Sequence, residues 1–288
     1  GSGTLDAVGF SLGELAGSLT PADRLDVVGE LAVNEWNGVR RPQLVLRDVA
    51  VPHVQVFDWR GAPNPGERLR DVPEPRRTAV FVFSDRRERE LAYVLDVVGN
   101  GLRGGRVMPN GAVRWVNAPP VADEVEHVVL YDLPTHREAL RLALKAFPRL
   151  SRVYCLFGGD PERAFGAFPG REAFKVVYCC LPSGRPRRLD ESFFRAVARF
   201  GVRPRTARFI LEVFAELGLV TLTAEGVVRT PNPARRQLAD SRRYREEEER
   251  CALERELVYS SQTALAEWFA QLLGETVNEE ALCHDHQL

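Results

Sequence analysis

Lysine is almost missing from this chain: Lys145 and Lys175 are the only two, so 37 of its 39 basic residues are arginine. We read that mainly as coding bias, although the planar arginine fork does suit phosphate recognition. The phosphate-cradling pattern G-x-x-x-x-G-K-[ST] is absent; Gly99 to Arg106 offers glycines without the lysine or the hydroxyl, which argues against nucleotide hydrolysis. Cys155, Cys179, Cys180, Cys251 and Cys283 form no C-x-x-C pair and sit in apolar or helical surroundings. Reduced structural thiols are expected, which implies the cytoplasm. No run of 18 apolar residues and no charged-then-apolar leader occurs, so membrane and secretion are both disfavoured. Nor is there an excess of positive charge: the formal net charge is −1 and the pI about 6.6. Any nucleic-acid role must therefore use local patches. The single methionine is Met108 and the chain opens Gly-Ser-Gly-Thr, so a piece of a longer protein is expected.

What is present is an ordinary globular composition, 44% hydrophobic and 27% charged over 288 residues, enough for two or three domains. The most organised stretch runs from Val27 to Val51. Two apolar runs, Val27 to Val33 and Leu44 to Val51, flank a turn built from Asn34, Asn37, Gly38 and Pro42, which predicts a β-hairpin. Leu44 and Leu46 alternate with Val45 and Arg47, the period of a strand with one face in a core and one in water. Near the turn stand Trp36, Arg40 and Arg41, a ring beside fixed positive charges, a pairing that suits single-stranded nucleic acid. A tryptophan in such a place is more often a hairpin or core packing residue than a base platform.

The order Gly29, Asn34, Trp36, Asn37, Gly38, Gln43, Leu44, Asp48 resembles the oligonucleotide-binding (OB) domain of the RecJ family, single-stranded-DNA-specific 5′-to-3′ exonucleases. Leu5 to Leu15 and Val27 to Leu31 look like the elements before it. The resemblance extends through V-V-L-Y-D-L-P-T (Val128 to Thr135), Pro231 to Pro233, Arg242 to Tyr244 and Glu256 to Ser261, to about Leu273. It implies that a further barrel strand precedes Leu5, that the hairpin face with Trp36, Arg40, Arg41, Gln43 and Arg47 meets DNA, and that this chain is the C-terminal part of such an enzyme. It also implies work in recombination and repair, beside a single-stranded-DNA-binding protein and a helicase.

Taken in order, the chain predicts an α/β multidomain protein. Residues 1–60 read as a partial OB-fold β-barrel, with a helical turn near Ser11 to Leu19 and a turn at Thr20 to Asp23. Residues 61–77, rich in proline, glycine and arginine, read as a linker. Residues 78–184 read as a Rossmann or RecA-like, helicase-lobe-like domain without a P-loop. Its strands are Ala79 to Phe83, Val128 to Pro134, Arg152 to Phe157 and Phe174 to Leu181, its helices Arg86 to Val98 and Thr135 to Ala146. Asp85 and Asp132 fall at strand ends, where such sheets place ligands, and are expected to cap the following helices.

From residue 185 to 273 a winged-helix-like and helical region is expected. Asp190 caps a helix Glu191 to Phe200, Gly201 stops it, Arg203-Pro204 opens a second through Leu217, and Leu219 to Arg229 make a hairpin. A charged helix, Arg245 to Tyr259, and an amphipathic one, Ser261 to Leu273, follow; residues 274–288 read as a tail. Around the first two helices Arg185, Arg187, Arg188, Arg195, Arg199, Arg203, Arg205 and Arg208 stand against Asp190 and Glu191. Arg205 and Arg208 would meet phosphates or bases on a recognition helix, or the arginines form a solvated or protein-docking face.

Two-metal phosphodiester hydrolysis needs convergent carboxylates and imidazoles. His53, His127, His136, His284 and His286 match no D-H-H or D-x-D pattern at a strand end, and His284-Asp285-His286 is a cluster without support near the chain end. No catalytic or metal-binding residue is expected in this chain, which alone is expected to be inactive; Mn²⁺ or Mg²⁺ belongs to the missing core that the resemblance implies. The rival reading is a non-enzymatic duplex-DNA-binding adaptor or regulator using Arg185 to Arg208.

Overall fold

The computed structural model describes residues 4–157 and 168–274. The chain divides into two units: one runs to Gly158 and resumes at Glu256, and the other spans Gly159–Arg255.

The first unit opens with a three-stranded sheet of β1 (Asp6–Val8), β2 (Asp26–Trp36) and β3 (Val39–Ala50), in the order β1-β3-β2. A 3-10 turn, Gly13–Ser18, links β1 to β2. The antiparallel hairpin turns on two residues, Asn37 and Gly38, both with positive φ (49° and 77°). Such a turn matches the twist of its strands, and Asn-Gly is the pair that tolerates it. The strands therefore reach further than the apolar runs suggest: Asn34 and Pro42, expected in the turn, lie within them, Asn34 opposite Arg41 and Pro42 opposite Val33. A register shift falls between Val28 and Gly29, where a Cβ on Gly29 would stand 2.6 Å from the Val45 carbonyl oxygen. No residue of the three strands is buried. The half-buried alternation expected at Leu44 to Arg47 is thus not realised, because the described residues lay no second layer over this sheet.

The second sheet of this unit comprises β4 (Gln55–Asp58), β5 (Thr78–Val82), β6 (Arg103–Val107), β7 (Val113–Trp115), β8 (His127–Leu130) and β9 (Arg152–Cys155), in the order β4-β9-β8-β5-β6-β7. All neighbours are parallel except β6 and β7. β5 is buried along its whole length, as a central strand covered on both faces must be. The mixed α/β class follows, with two corrections to the boundaries. β4 pairs with β9 in this larger sheet, so Gln55 to Asp58 do not belong to the hairpin's domain. The stretch expected as a linker folds into α1 (Pro65–Arg68) and 3-10 turns and sends Leu69 and Val72 into a core with Val80, Val129, Tyr131 and Tyr154. Two buried apolar side chains outweigh its loop-like composition.

Between the strands lie α2 (Asp85–Val98) and α3 (Arg137–Lys145). Neither expected aspartate cap is realised. Ser84 caps α2 by accepting from Arg87 N, one residue earlier, while Asp132 accepts the Phe83 N–H at 2.9 Å and ties the ends of β8 and β5 together.

The second unit contains α4 (Arg171–Cys179), α5 (Glu191–Ala198), α6 (Pro204–Glu216), and the hairpin β10 (Val220–Thr223) with β11 (Gly226–Arg229). Phe174 to Leu181, expected as a strand, lies mostly in α4. Its buried residues, Phe174 and Val177, recur at helical spacing, and a short apolar run is ambiguous between the two periods. Asp190 caps α5 as expected, accepting from Phe193 N at 3.1 Å. α7 (Arg242–Val258) begins in this unit, and its last residues return to the first.

There α8 (Gln262–Leu273) packs against β4 and α3, burying Leu265, Trp268, Phe269 and Leu272 as its amphipathic pattern predicts. Arg60 donates to the Leu257 carbonyl at 2.5 Å and to Ser260 Oγ at 3.2 Å, satisfying the end of α7. Glu256 accepts from Trp268 Nε1 at 2.7 Å and from Arg137, whose guanidinium lies over the Trp268 ring. The tail, with Cys283 and His284 to His286, lies outside the described residues.

Candidate nucleic-acid interface

Side chains alternate between the faces of a strand, and directly opposed residues share a face. Counting from the Trp36–Val39 pair next to the turn puts Glu30, Ala32, Asn34 and Trp36 of β2 on one face with Val39, Arg41, Gln43, Val45 and Arg47 of β3. Arg40, opposite Glu35, lies on the other face beside Gly29, Leu31, Val33, Pro42, Leu44 and Leu46. Of the five residues expected to meet DNA here, four share a face. Arg40 does not, and its guanidinium stands 3.6 Å from Glu35. The two faces differ in kind: one is polar around a tryptophan, the other apolar apart from the Glu35–Arg40 pair beside the turn.

Trp36 is 75% exposed. With Asp6, Asn34, Asn37, Val39 and Arg41 it lines an open recess of about 470 Å³. The parallel pairing of β1 with β3 sets Asp6 beside Gln43 and so brings it to this rim. Arg47 donates to Glu30 at 3.2 Å, which partly neutralises it, whereas Arg41 has no ion-pair partner among the described residues. An exposed indole for stacking, two side-chain amides for base edges and one uncommitted guanidinium for a phosphate make a nucleotide-sized site on a single face. Asn34, Asn37 and Asp6 were not singled out as contacts from the sequence. Parity counted from the Asn-Gly turn would have found Asn34.

Arg205 and Arg208 lie on the exposed face of α6, with Arg208 stacked 4.7 Å from the centre of the Phe194 ring. Further along that face stand Glu212 and Glu216. Glu216 accepts from Ser241 Oγ at 2.6 Å and from the backbone N–H groups of Arg242 and Arg243, and Glu212 pairs with Arg243 at 3.0 Å. Those bonds hold the Glu216 carboxyl below the usual range, the Ser241 hydroxyl contributing most. The start of α7 is thus tied to the C-terminal half of α6 through these two carboxylates, both of which stay exposed.

At the strand ends of the larger sheet the charges serve one another. Asp85 meets Arg106, and Glu88 pairs with Arg114. Glu90 takes Arg87 at 2.6 Å and the Tyr131 hydroxyl at 3.1 Å; burial, then the Glu90 charge, pushes the Tyr131 phenol up to about 12. Among the described residues no three histidine, cysteine, aspartate or glutamate side chains gather in a group able to hold a metal ion. Nor does any described helix have the length and apolarity to cross a membrane.

Residues 55–269 match the family described as the C-terminal domain of single-strand DNA-specific exonuclease. Residues 1–48 match the RecJ OB domain. The single-stranded-DNA-specific exonuclease RecJ of Bacillus subtilis (strain 168) is 28% identical over 279 residues, an alignment that covers 95% of this chain. It covers 34% of that protein, so the chain spans about a third of the length of the relative it matches. The gap between the two matched segments, 48 to 55, falls where the structure passes from β3 to β4.

Proposed function

Because the chain belongs to the single-strand DNA-specific exonuclease C-terminal domain family and carries the RecJ OB domain ahead of it, we propose that it grips single-stranded DNA through the Trp36 face of its hairpin. The observation that carries this reading is the convergence of Trp36, Asn34, Asn37 and Arg41 on one open recess. Trp36 stacks on a base, Arg41 takes a phosphate, and Gln43 and Arg47 continue the track along β3. Arg40 drops out of the site on the register. Cleavage of DNA from the 5′ end, with Mn²⁺ or Mg²⁺, belongs in this reading to residues outside the matched third of the relative; no step of it is assigned to this chain. Work in recombination and repair in the cytoplasm, beside a single-stranded-DNA-binding protein and a helicase, rests on the RecJ resemblance.

The same proposal treats the larger sheet as a helicase-lobe-like domain, which its parallel order supports, and the second unit as a winged helix. The latter is supported by the succession α4, α5, α6, β10 and β11, with a bridge from Arg187 to Val227 adding a short third strand to the hairpin. The duplex-binding rival needs α6 along a groove; the exposed carboxylates of Glu212 and Glu216 on its C-terminal half disfavour phosphate there and leave it the first turns with Arg205 and Arg208.

Fluorescence anisotropy with labelled single-stranded and duplex oligonucleotides tests the leading reading. Expected are a salt-sensitive preference for single strands and about tenfold weaker binding by W36A, the loss of one stacked base. Equal or stronger binding to duplex, or no effect of W36A, would overturn it.

A further inference from the structure

The turn from α5 to α6 exposes a phenylalanine ring among arginines. Phe200 is 68% exposed. Its backbone is nevertheless fixed: the N–H groups of Phe200 and Val202 reach the Val197 carbonyl at 3.1 and 3.3 Å, and that of Gly201 reaches Ala198 at 2.9 Å. Gly201 takes φ of 78°, the reversal that ends such a helix, and Val202 beside it is buried. From Ser192 to Leu211 the chain holds Arg195, Arg199, Arg203, Arg205 and Arg208 and no acidic residue. Arg195 is engaged by Glu191 at 2.6 Å and Arg208 by the Phe194 ring. Arg199 and Arg203, which bracket Phe200, have no ion-pair partner among the described residues.

We propose that this turn is a second single-stranded DNA contact, in which Phe200 stacks on an unpaired base while Arg199 and Arg203 take the adjoining phosphates. An aromatic face held out by a fixed backbone loses little freedom on stacking, and every base offers a π-face, so the contact is sequence-tolerant. A duplex keeps its base faces stacked internally and offers the ring a partner only at an end. A protein partner would need more apolar surface than this single ring, since the residues on both sides are cationic. The site is independent of the hairpin: it lies in the other unit and uses none of its residues.

The test uses the full chain carrying W36A, which removes the stacking residue of the hairpin, and a single-stranded oligonucleotide containing 5-iododeoxyuridine. Photocrosslinking followed by peptide mass spectrometry should place a crosslink on the peptide containing Phe200. In the otherwise unchanged chain F200A should weaken binding about tenfold, F200W should restore it, and R199Q and R203Q should each lower the salt slope by about 0.7. Unchanged melting of F200A controls for folding. Failure to crosslink that peptide together with unchanged F200A affinity would overturn the proposal, as would binding at this turn only by duplex or only by an acidic peptide. Loss of binding in F200A but not in W36A would sink the hairpin reading and leave this one standing; the reverse would do the opposite.

Discussion

Arg40 and Arg41 are neighbours of the same chemistry, and the hairpin register sends them to opposite faces. That makes a matched pair of perturbations, R40Q and R41Q. The Arg40 side chain is 70% exposed and Arg41 is exposed, so neither change should disturb folding. Each phosphate neutralised on a single strand contributes about 0.7 to the slope of log affinity against log salt. R41Q should therefore flatten that slope by about 0.7. Over a fourfold rise in salt, from about 50 to about 200 mM, one such contact changes affinity about 2.6-fold, which is resolvable by anisotropy titration. R40Q, on the face with Leu31 and Val33 and already beside Glu35, should leave the slope unchanged. Equal changes in the two variants would refute the assignment of the DNA to one face.

G29A should place a Cβ 2.6 Å from the Val45 carbonyl oxygen and 3.2 Å from Leu44 Cδ1. The overpacking should weaken the hairpin by about 1–3 kcal/mol, seen as faster amide exchange in β2 and β3 but not in β5; unchanged protection would count against it. His127 is buried, its Nδ1 3.2 Å from the Pro73 carbonyl, and burial foremost holds its imidazole below the usual range despite Glu74 and Glu126 nearby. The unfolded chain therefore takes up a proton near about 6.5 that the folded chain refuses, so stability is lost as pH falls below that value. Urea unfolding at about pH 7.5 and 5.5 should show the loss, and H127N should reduce it.

Much of this was legible in the residues. The Asn-Gly pair marks the hairpin, alternating strand and helix patterns mark the larger sheet, and Asp190, Gly201 and Pro204 punctuate α5 and α6. What escaped has common physical causes. The faces of a hairpin depend on register, and treating Asn34 to Pro42 as one broad turn hides the parity that separates Arg40 from Arg41. β4 reads like any short apolar run, and its partner β9 lies almost a hundred residues away; no local pattern announces a non-local parallel pair. Residues 61–77 look like a linker because loop chemistry dominates their composition, while Leu69 and Val72 carry the burial. The helix expected to run through Phe200 ends at Ala198, which leaves Phe200 in the exposed turn before Gly201.

The path of the chain also dictates an order of assembly. The edge strand β4 is made early, yet the helix that packs on it, α8, is among the last described residues to leave the ribosome. Arg60 waits equally long for the carbonyl groups of Leu257 and Val258. During synthesis the first unit thus stands with one flank unroofed until the whole of the second has emerged. A second unit with its own apolar core can fold in that interval, and its completion delivers the lid of the first.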